Sequence, residues 1–295
     1  MFGAKYSSRN YKMKFLFSLL AFCLTMAHAT PTKVGSREYK LMLDASKFTG
    51  SNPIVATSNY WSAIGALIDN NLSRDRSGSF SLAKDRTISI YDTAGTCLLY
   101  NNSLIFRERI ENGDREVTLK YRSLDRYIVG YQDMDGIELN AETKFEEDIG
   151  APYVSKFSHS TTQGISDGKN LNKLDDPINL YPNHMNQYNF DGDATIVQVG
   201  GVTIYEKVYR GTSVDLGSKA GEFSLTLWYT SSTSTTPVVA EVSFRYEDTD
   251  ENFSENVVTR AKKLFELMQT LGAWNNPNSI TKTAFIYSYN PSFCN

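Results

Sequence analysis

Six basic side chains, Lys40, Arg107, Arg109, Lys120, Arg210 and Lys282, and four acidic ones, Glu38, Glu146, Asp148 and Glu241, stand in segments that read as β-strands. Alternate residues of a strand share a face, so most of these charges fall opposite an apolar row. Several Lys and Arg on one face suit an anion with many oxygens, and the Arg fork matches phosphate oxygens in pairs. Carboxylates among such cations are misplaced unless a hard divalent ion bridges them to that anion. If the faces point outward instead, the same charges are the wet side of an ordinary antiparallel sheet.

The elements that would position these residues can be read in order. The clearest is the stretch 103–122, two alternating runs around Asn112-Gly113, the residue pair that a type I′ hairpin turn favours. With those two residues as the loop, Glu111 faces Asp114, Phe106 faces Leu119 and Leu104 faces Tyr121. Arg107 then faces Thr118, Arg109 faces Glu116 and Ile105 faces Lys120, so Arg107, Arg109 and Lys120 share one side. Residues 37–43 alternate, with Tyr39, Leu41 and Leu43 opposite Ser36, Glu38 and Lys40. Further strands are expected over 86–91, 144–149, 222–230, 238–247 and 281–287, with two more meeting at Gly200-Gly201 within 196–210. Lys144, Glu146 and Asp148 share a face, and Glu241, Ser243 and Arg245 share another.

Residues 57–72 read as a helix capped by Thr57 or Ser58 and broken at Ser77-Gly78-Ser79. Ser254 caps a second helix to Leu271, whose stripe of Val257, Ala261, Leu264, Phe265 and Met268 is core rather than a cofactor box. The polar stretch 158–172 reads as a loop and 173–195 as irregular; Asp191-Gly192-Asp193 resembles half a calcium loop without the rest. No repeat or low-complexity linker divides the chain, which points to one α+β domain, mainly antiparallel, with a closed or nearly closed sheet.

Composition bounds the rest. The 295 residues are 41% hydrophobic and 21% charged, enough to fill a sizeable core. Residues 1–29 combine Lys5, Arg9, Lys12 and Lys14 with an apolar run and Ala27-His28-Ala29, the pattern of a cleaved export signal, with Met13 as an alternative start. Removing those four positive charges takes the formal charge from −3 to −7, which argues against a general nucleic-acid binder. A single domain over 30–295, secreted or periplasmic and without a membrane span after cleavage, is expected. Cys97 and Cys294 then remain, either as a disulfide or as two buried thiols. Asn71, Asn101 and Asn252 begin Asn-x-Ser sequons, which matter only in a eukaryotic secretory pathway.

The order of these charged strands resembles the CYTH-like superfamily, the triphosphate tunnel metalloenzymes. Ser36-Arg37-Glu38-Tyr39-Lys40 is similar to that family's opening Glu-x-Glu-x-Lys, and Tyr91-Asp92-Thr93 to its Tyr-x-Asp-Thr region. Residues 104–109 and Val117-Thr118-Leu119-Lys120 look like its Leu-Arg-x-Arg and Thr-x-Lys strands, while Arg210, Glu241 and Lys282 fall at its later Arg, Glu-x-Glu and last-strand Lys. The resemblance covers most of the mature chain. It implies an eight-stranded tunnel-like barrel with flanking helices that binds a triphosphate or polyphosphate-type anion, including at most the 5′-triphosphate end of a nucleic acid. It further implies Lys40, Arg107, Arg109 and Lys120 as catalytic cations, Arg210 and Lys282 as substrate-binding ones, and Glu38 and Glu241 as ligands of Mg²⁺ or Mn²⁺. Ser36 and Ser243 stand where the family carries Glu, which thins the metal half of the site. Glu146 and Asp148 compensate if their strand faces inward; the alternative is a solvent-facing edge. The expected function is therefore a metal-dependent phosphohydrolase or, with the metal half lost, a non-catalytic anion-binding protein on the same fold.

Overall fold

Alternation of apolar and polar residues builds strand β1 (Ser36–Leu43), which buries Tyr39, Leu41 and Leu43 on one side. The structure, a computed structural model, describes residues 1, 3, 30–276, 278 and 280–295, so the expected export segment lies outside the described residues save residues 1 and 3. Helix α1 (Ile54–Asn71) follows, then the long strand β2 (Arg76–Asp92), the single turn α2 (Leu98–Asn101), and the hairpin of β3 (Leu104–Glu111) and β4 (Asp114–Ser123). Next come α3 (Arg126–Gly130), β5 (Glu142–Gly150), β6 (Val154–Ile165), α4 (Asp175–Leu180) and α5 (Pro182–Met185). The chain ends with β7 (Val197–Gln198), β8 (Ile204–Asp215), β9 (Ala220–Tyr229), β10 (Val239–Glu247), α6 (Glu255–Gln269) and α7 (Lys282–Tyr289).

The strands form one sheet in the order β3-β4-β6-β5-β1-β10-β9-β8-β2-β7, and β2 pairs back onto β3 to close a ring that leaves only β7 outside. The fold class is the expected one, although the sheet has ten strands rather than eight. Every named pairing is antiparallel except β1 with β5. The hairpin has the expected register, Arg107 opposite Thr118 and Ile105 opposite Lys120. Its turn residues Asn112 and Gly113 take positive φ, 54° and 94°, a backbone that few other residues adopt cheaply.

Two large cores lie outside the ring, and a third, with Ile88, Ile90, Ile204 and Trp228, fills one end of it. Helices α1 and α6 cover the outer faces of β1, β8, β9 and β10, where Tyr39, Trp61, Ile64, Phe223, Phe244 and Phe265 pack. Each such side chain, fully buried, contributes about 1.5–3 kcal/mol. A second cluster, including Leu104, Phe106, Leu119, Leu174 and Tyr181, covers β3 and β4. With much of the outer face dry, alternation turns Glu38, Lys40, Arg107, Arg109, Lys120, Glu146 and Asp148 into the ring. Asn-x-Ser sites Asn71, Asn101 and Asn252 are all exposed. Cys97 and Cys294 form a disulfide across 197 residues. No helix among the described residues is long and apolar enough to cross a membrane.

Four expectations about elements are corrected. Helix α1 starts at Ile54 after Pro53, and Thr57 lies inside its first turn with its hydroxyl donating to the Ile54 carbonyl at 2.8 Å. Gly78 does not break the chain: β2 runs through it, with register shifts on either side of Leu82. Residues 158–165 belong to β6, not to a loop. Ser158, Ser160 and Thr162 face the ring, while Thr161 lies on the other side, where His159 and Gln163 bond to the carbonyls of Val129 and Leu180, so neither face shows an apolar row. Finally, 281–287 is not a strand. Thr281 caps helix α7, its side chain accepting from the Ala284 N–H.

Candidate functional site

Register places the charged residues. From β1 the ring presents Ser36, Glu38 and Lys40 inward; β5 lies parallel beside it, with Glu146 next to Ser36 and Asp148 next to Glu38. The carboxylates missing from β1 are thus supplied by the neighbouring strand, and the inward-facing alternative for 144–149 is the observed one. Ligand oxygens of Glu38, Glu146 and Asp148 lie within 4.8 Å of one another. Ser36 Oγ donates to Glu146 Oε1 at 3.2 Å, and Ser158 Oγ to Asp148 Oδ2 at 3.2 Å.

Cations already stand among these acids. Lys40 Nζ lies 2.9 Å from Glu38 Oε2 and 2.6 Å from Asp148 Oδ1, and Arg122 Nη2 lies 3.3 Å from Asp148 Oδ2. Lys120 Nζ is more distant, 3.8 Å from Glu146 and 3.9 Å from Asp148. Burial opposes ionisation of Asp148, yet Lys40, Lys120 and Arg122 together hold its carboxyl well below the usual range. Burial likewise opposes the charge on Lys40, and Asp148, Glu38 and Glu241 overcome it and raise its pKa. Lys120 is different: burial pushes it down to about 8, with Asp148 opposing and Arg122 assisting. Three hard oxygen donors at this spacing fit a divalent ion such as Mg²⁺ or Mn²⁺. Glu241 is not in that group; its Oε1 pairs with Lys282 Nζ at 2.8 Å. Asp193, in the half calcium loop, pairs with Lys173 at 2.6 Å.

The opposite wall, β2 with β3, is arginine-rich. Register brings Arg107 and Arg109 of β3 beside Ile90 and Ile88 of β2, so Arg86 shares their face. Glu206 of β8 lies opposite Arg86 and pairs with it at 2.7 Å, while Trp228 Nε1 donates to Glu206 at 2.8 Å. Burial favours the neutral form of Glu206, but Lys282, Arg86 and Arg109 outweigh it and hold the carboxyl down at about 2. Among the described residues Arg109 pairs with Glu116 at 3.3 Å, and Arg107 has no direct ion pair, only a bond to Thr118 Oγ1 at 3.3 Å. The Nε atoms of Arg107, Arg109 and Arg122 are buried without a hydrogen-bond partner among the described residues. Burial first, then Arg109 and Arg86, push the Arg107 guanidinium well below its ordinary pKa.

Arg210 is exposed at one end of the ring, lining a cavity with Glu38, Glu222, Ser224, Ser243 and Arg245. Lys282 enters from α7 rather than from a strand, its Nζ 5.7 Å from the Trp228 ring centroid. Sequence reasoning missed Arg86, Glu206, Glu116 and Arg122 as lining residues. Parity marks three of them: Glu206 shares a face with Arg210, and Glu116 and Arg122 share one with Lys120. Arg86 falls on the face of Ile88 and Ile90, so alternation alone assigns it to a core.

No family model and no curated protein matches the chain. Among solved structures it is similar to an adenylyl cyclase candidate from Hippeastrum reported to have a dominant triphosphatase activity. That likeness has 15% identity and a TM-score of 0.44, over 86% of this chain and 96% of the other. An adenylate cyclase candidate from Bacillus halodurans gives 11% identity and a TM-score of 0.40, over 87% of this chain and 99% of the other. Another from Vibrio parahaemolyticus gives 9% and 0.32, over 87% and 99%. At such values the likeness decides nothing about chemistry. The ring of strands with inward cations is itself the architecture that the CYTH-like resemblance implied.

Proposed function

We propose that the ring binds a short phosphate chain of the triphosphate or polyphosphate type and hydrolyses its terminal phosphoryl group. One observation carries the reading: Arg107 and Arg109 are half-buried with buried Nε donors that have no hydrogen-bond partner among the described residues, and Arg107 has no ion pair among them. Leaving buried donors unmade costs about 1–3 kcal/mol each, more for charged groups, and phosphate oxygens would satisfy them. Arg86 and Lys120 would extend the same contact, and Lys120, with a pKa of about 8, is still mostly protonated at neutral pH.

In hydrolysis a water oxygen bonds to the terminal phosphorus as the bridging P–O bond breaks, and the shortened chain leaves. The arginine wall would hold the non-bridging oxygens where charge develops. Glu38, Glu146 and Asp148 would hold a divalent ion, Mg²⁺ or Mn²⁺, which neutralises phosphoryl charge and orients water when bound. Lys40 would have to leave its place between Glu38 and Asp148 for that ion to bind. Phosphate release from tripolyphosphate with Mg²⁺ or Mn²⁺ tests the proposal; no release above that of an Arg107→Ala, Lys120→Ala variant rules out this hydrolase for that substrate.

The position of Lys40 favours a second reading, a binding protein without catalysis. It expects tripolyphosphate to raise the melting temperature equally with and without metal, and no phosphate to appear. Export is part of the proposal in either form, and the Cys97–Cys294 disulfide supports an oxidising compartment. N-terminal sequencing of protein recovered outside the cytoplasm should begin near Thr30; protein retained inside with residues 1–29 intact would sink that part.

A further inference from the structure

Outside the ring, against β4 and β6, a second set of polar groups is buried apart from the lumen. The segment 180–188, which includes α5, covers these strands, and its Tyr181 and Met185 pack in one cluster with Phe106 and Leu119. Two imidazoles are enclosed there: His184 of α5 is 0% exposed and His159 of β6 is 3%. The His184 ring centroid lies 5.4 Å from that of Tyr121 and 5.6 Å from that of Tyr188. The His159 ring centroid lies 5.3 Å from that of Phe145. No step of the proposed hydrolysis uses either imidazole.

Hydrogen bonds fix the protonation of His184. Gln132 Nε2 donates to the Ile128 carbonyl at 2.7 Å, which leaves Gln132 Oε1 as an acceptor. Gln187 Nε2 donates to that oxygen at 3.2 Å, so the same amide nitrogen gives its other hydrogen to His184 Nδ1 at 2.8 Å. An imidazole nitrogen accepts only when it carries no proton. His184 is therefore neutral, with its proton on Nε2, 3.5 Å from the Tyr188 hydroxyl. In His159, Nδ1 is 3.3 Å from the Val129 carbonyl and can only donate to it. Its Nε2 is buried without a partner among the described residues, so a second proton there would find no acceptor. Asp133 faces both imidazoles and also accepts from Asn183 Nδ2 at 3.0 Å, Asp135 faces His159, and Tyr121 and Tyr188 flank His184.

We propose that His184 is an acid-sensitive latch: its protonation removes the acceptor for Gln187 and frees the segment 180–188 from α3 and residues 131–133. The closed form holds a neutral imidazole; the open form holds an imidazolium in water, its proton taken from solvent. Burial, then His159, hold the His184 imidazole down at about 4, with Asp133 opposing. Released to water it returns to the ordinary value of about 6.5. The closed form is thus at full stability above about 6.5 and loses ground as pH falls from there through about 4, by up to about tenfold per pH unit. The latch lies outside the ring and stands whether or not the lumen binds phosphate.

Hydrogen exchange of the full chain, read by mass spectrometry and corrected for the intrinsic pH dependence of exchange, tests this. Protection of residues 180–188 and 128–133 should fall roughly 20-fold from about pH 7 to about pH 5, while that of β1 stays level. His184→Gln supplies an oxygen that accepts from Gln187 at any pH, and should hold the same protection within about threefold over that range. Equal protection at both pH values, an equal fall in the variant, or a fall that extends to β1 overturns the proposal. Nitrogen NMR of the unmutated protein at neutral pH should show His184 without a proton on Nδ1. A proton there overturns the latch whether or not the variant folds.

Discussion

The two walls of the ring carry opposite charge problems. On the wall of β1 and β5, three carboxylates face Lys40, Lys120 and Arg122, and every acid also has a short bond to a cation or a serine. On the wall of β2 and β3, three arginines share Glu206 and the half-exposed Glu116, and Arg107 is left over. The first wall is neutral by itself. The second is short of negative charge in a place only partly open to water. An anion therefore relieves the arginine wall, whereas a divalent ion on the acidic wall must compete with a lysine already in place.

This contrast can be broken most strongly at Asp148. Asp148→Asn leaves Lys40, Arg122 and Lys120 without their shared counter-ion, and should cost about 3–5 kcal/mol of stability, as for other broken buried pairs. Chemical denaturation measures it; a loss below about 1 kcal/mol would mean the acidic wall is not a balanced network. Arg107→Ala should act in the opposite sense on the other wall. Tripolyphosphate affinity should drop roughly 100-fold, about 2.7 kcal/mol, while the melting temperature of the ligand-free protein stays level or rises, because a buried like charge has gone. A clear fall in that temperature would contradict the view of Arg107 as electrostatically unsatisfied.

Proton linkage sharpens the comparison further. Lys120 has its pKa depressed to about 8 in the ligand-free protein. A bound anion favours the charged form, so affinity is full below that value and falls as pH rises through it, by at most about tenfold per pH unit. Titrations at several pH values should show this fall, and Lys120→Met should flatten it. The smallest effect belongs to the rim. Arg210 is exposed and wet, so Arg210→Ala should weaken tripolyphosphate by less than about threefold at physiological salt, the scale of an exposed ion pair. A loss as large as that from Arg107→Ala would place the anion beside Arg210 and not against the arginine wall.

Local rules made much of this legible. Asn112-Gly113 predicts its turn and the register of the flanking strands, and parity then aligns Arg107, Arg109 and Lys120 without any tertiary information. Ser254 is the helix cap it is expected to be, its side chain accepting from the Val257 N–H. The failures share a cause. Strand β6 has no apolar row because both its faces meet polar partners, and α7 looks like a strand because it is short, aromatic and β-branched at its start. Arg86 hides among isoleucines whose dry surroundings come from α7, an element almost two hundred residues away in the chain.

By itself, then, the sequence determined which residues are charged, which alternate, and where the tightest turn and the main helix cap lie, since each depends on neighbours a few positions apart. Only the tertiary structure decided that β2 returns to β3 and closes the ring, that β5 lies parallel to β1 and brings Glu146 and Asp148 beside Ser36 and Glu38, and that α7 packs over Ile88, Ile204 and Trp228 at one end. Those outcomes depend on which apolar faces find one another across the fold. Whether a charged face meets water or a shared lumen is settled by that packing, and not by the alternation that creates the face.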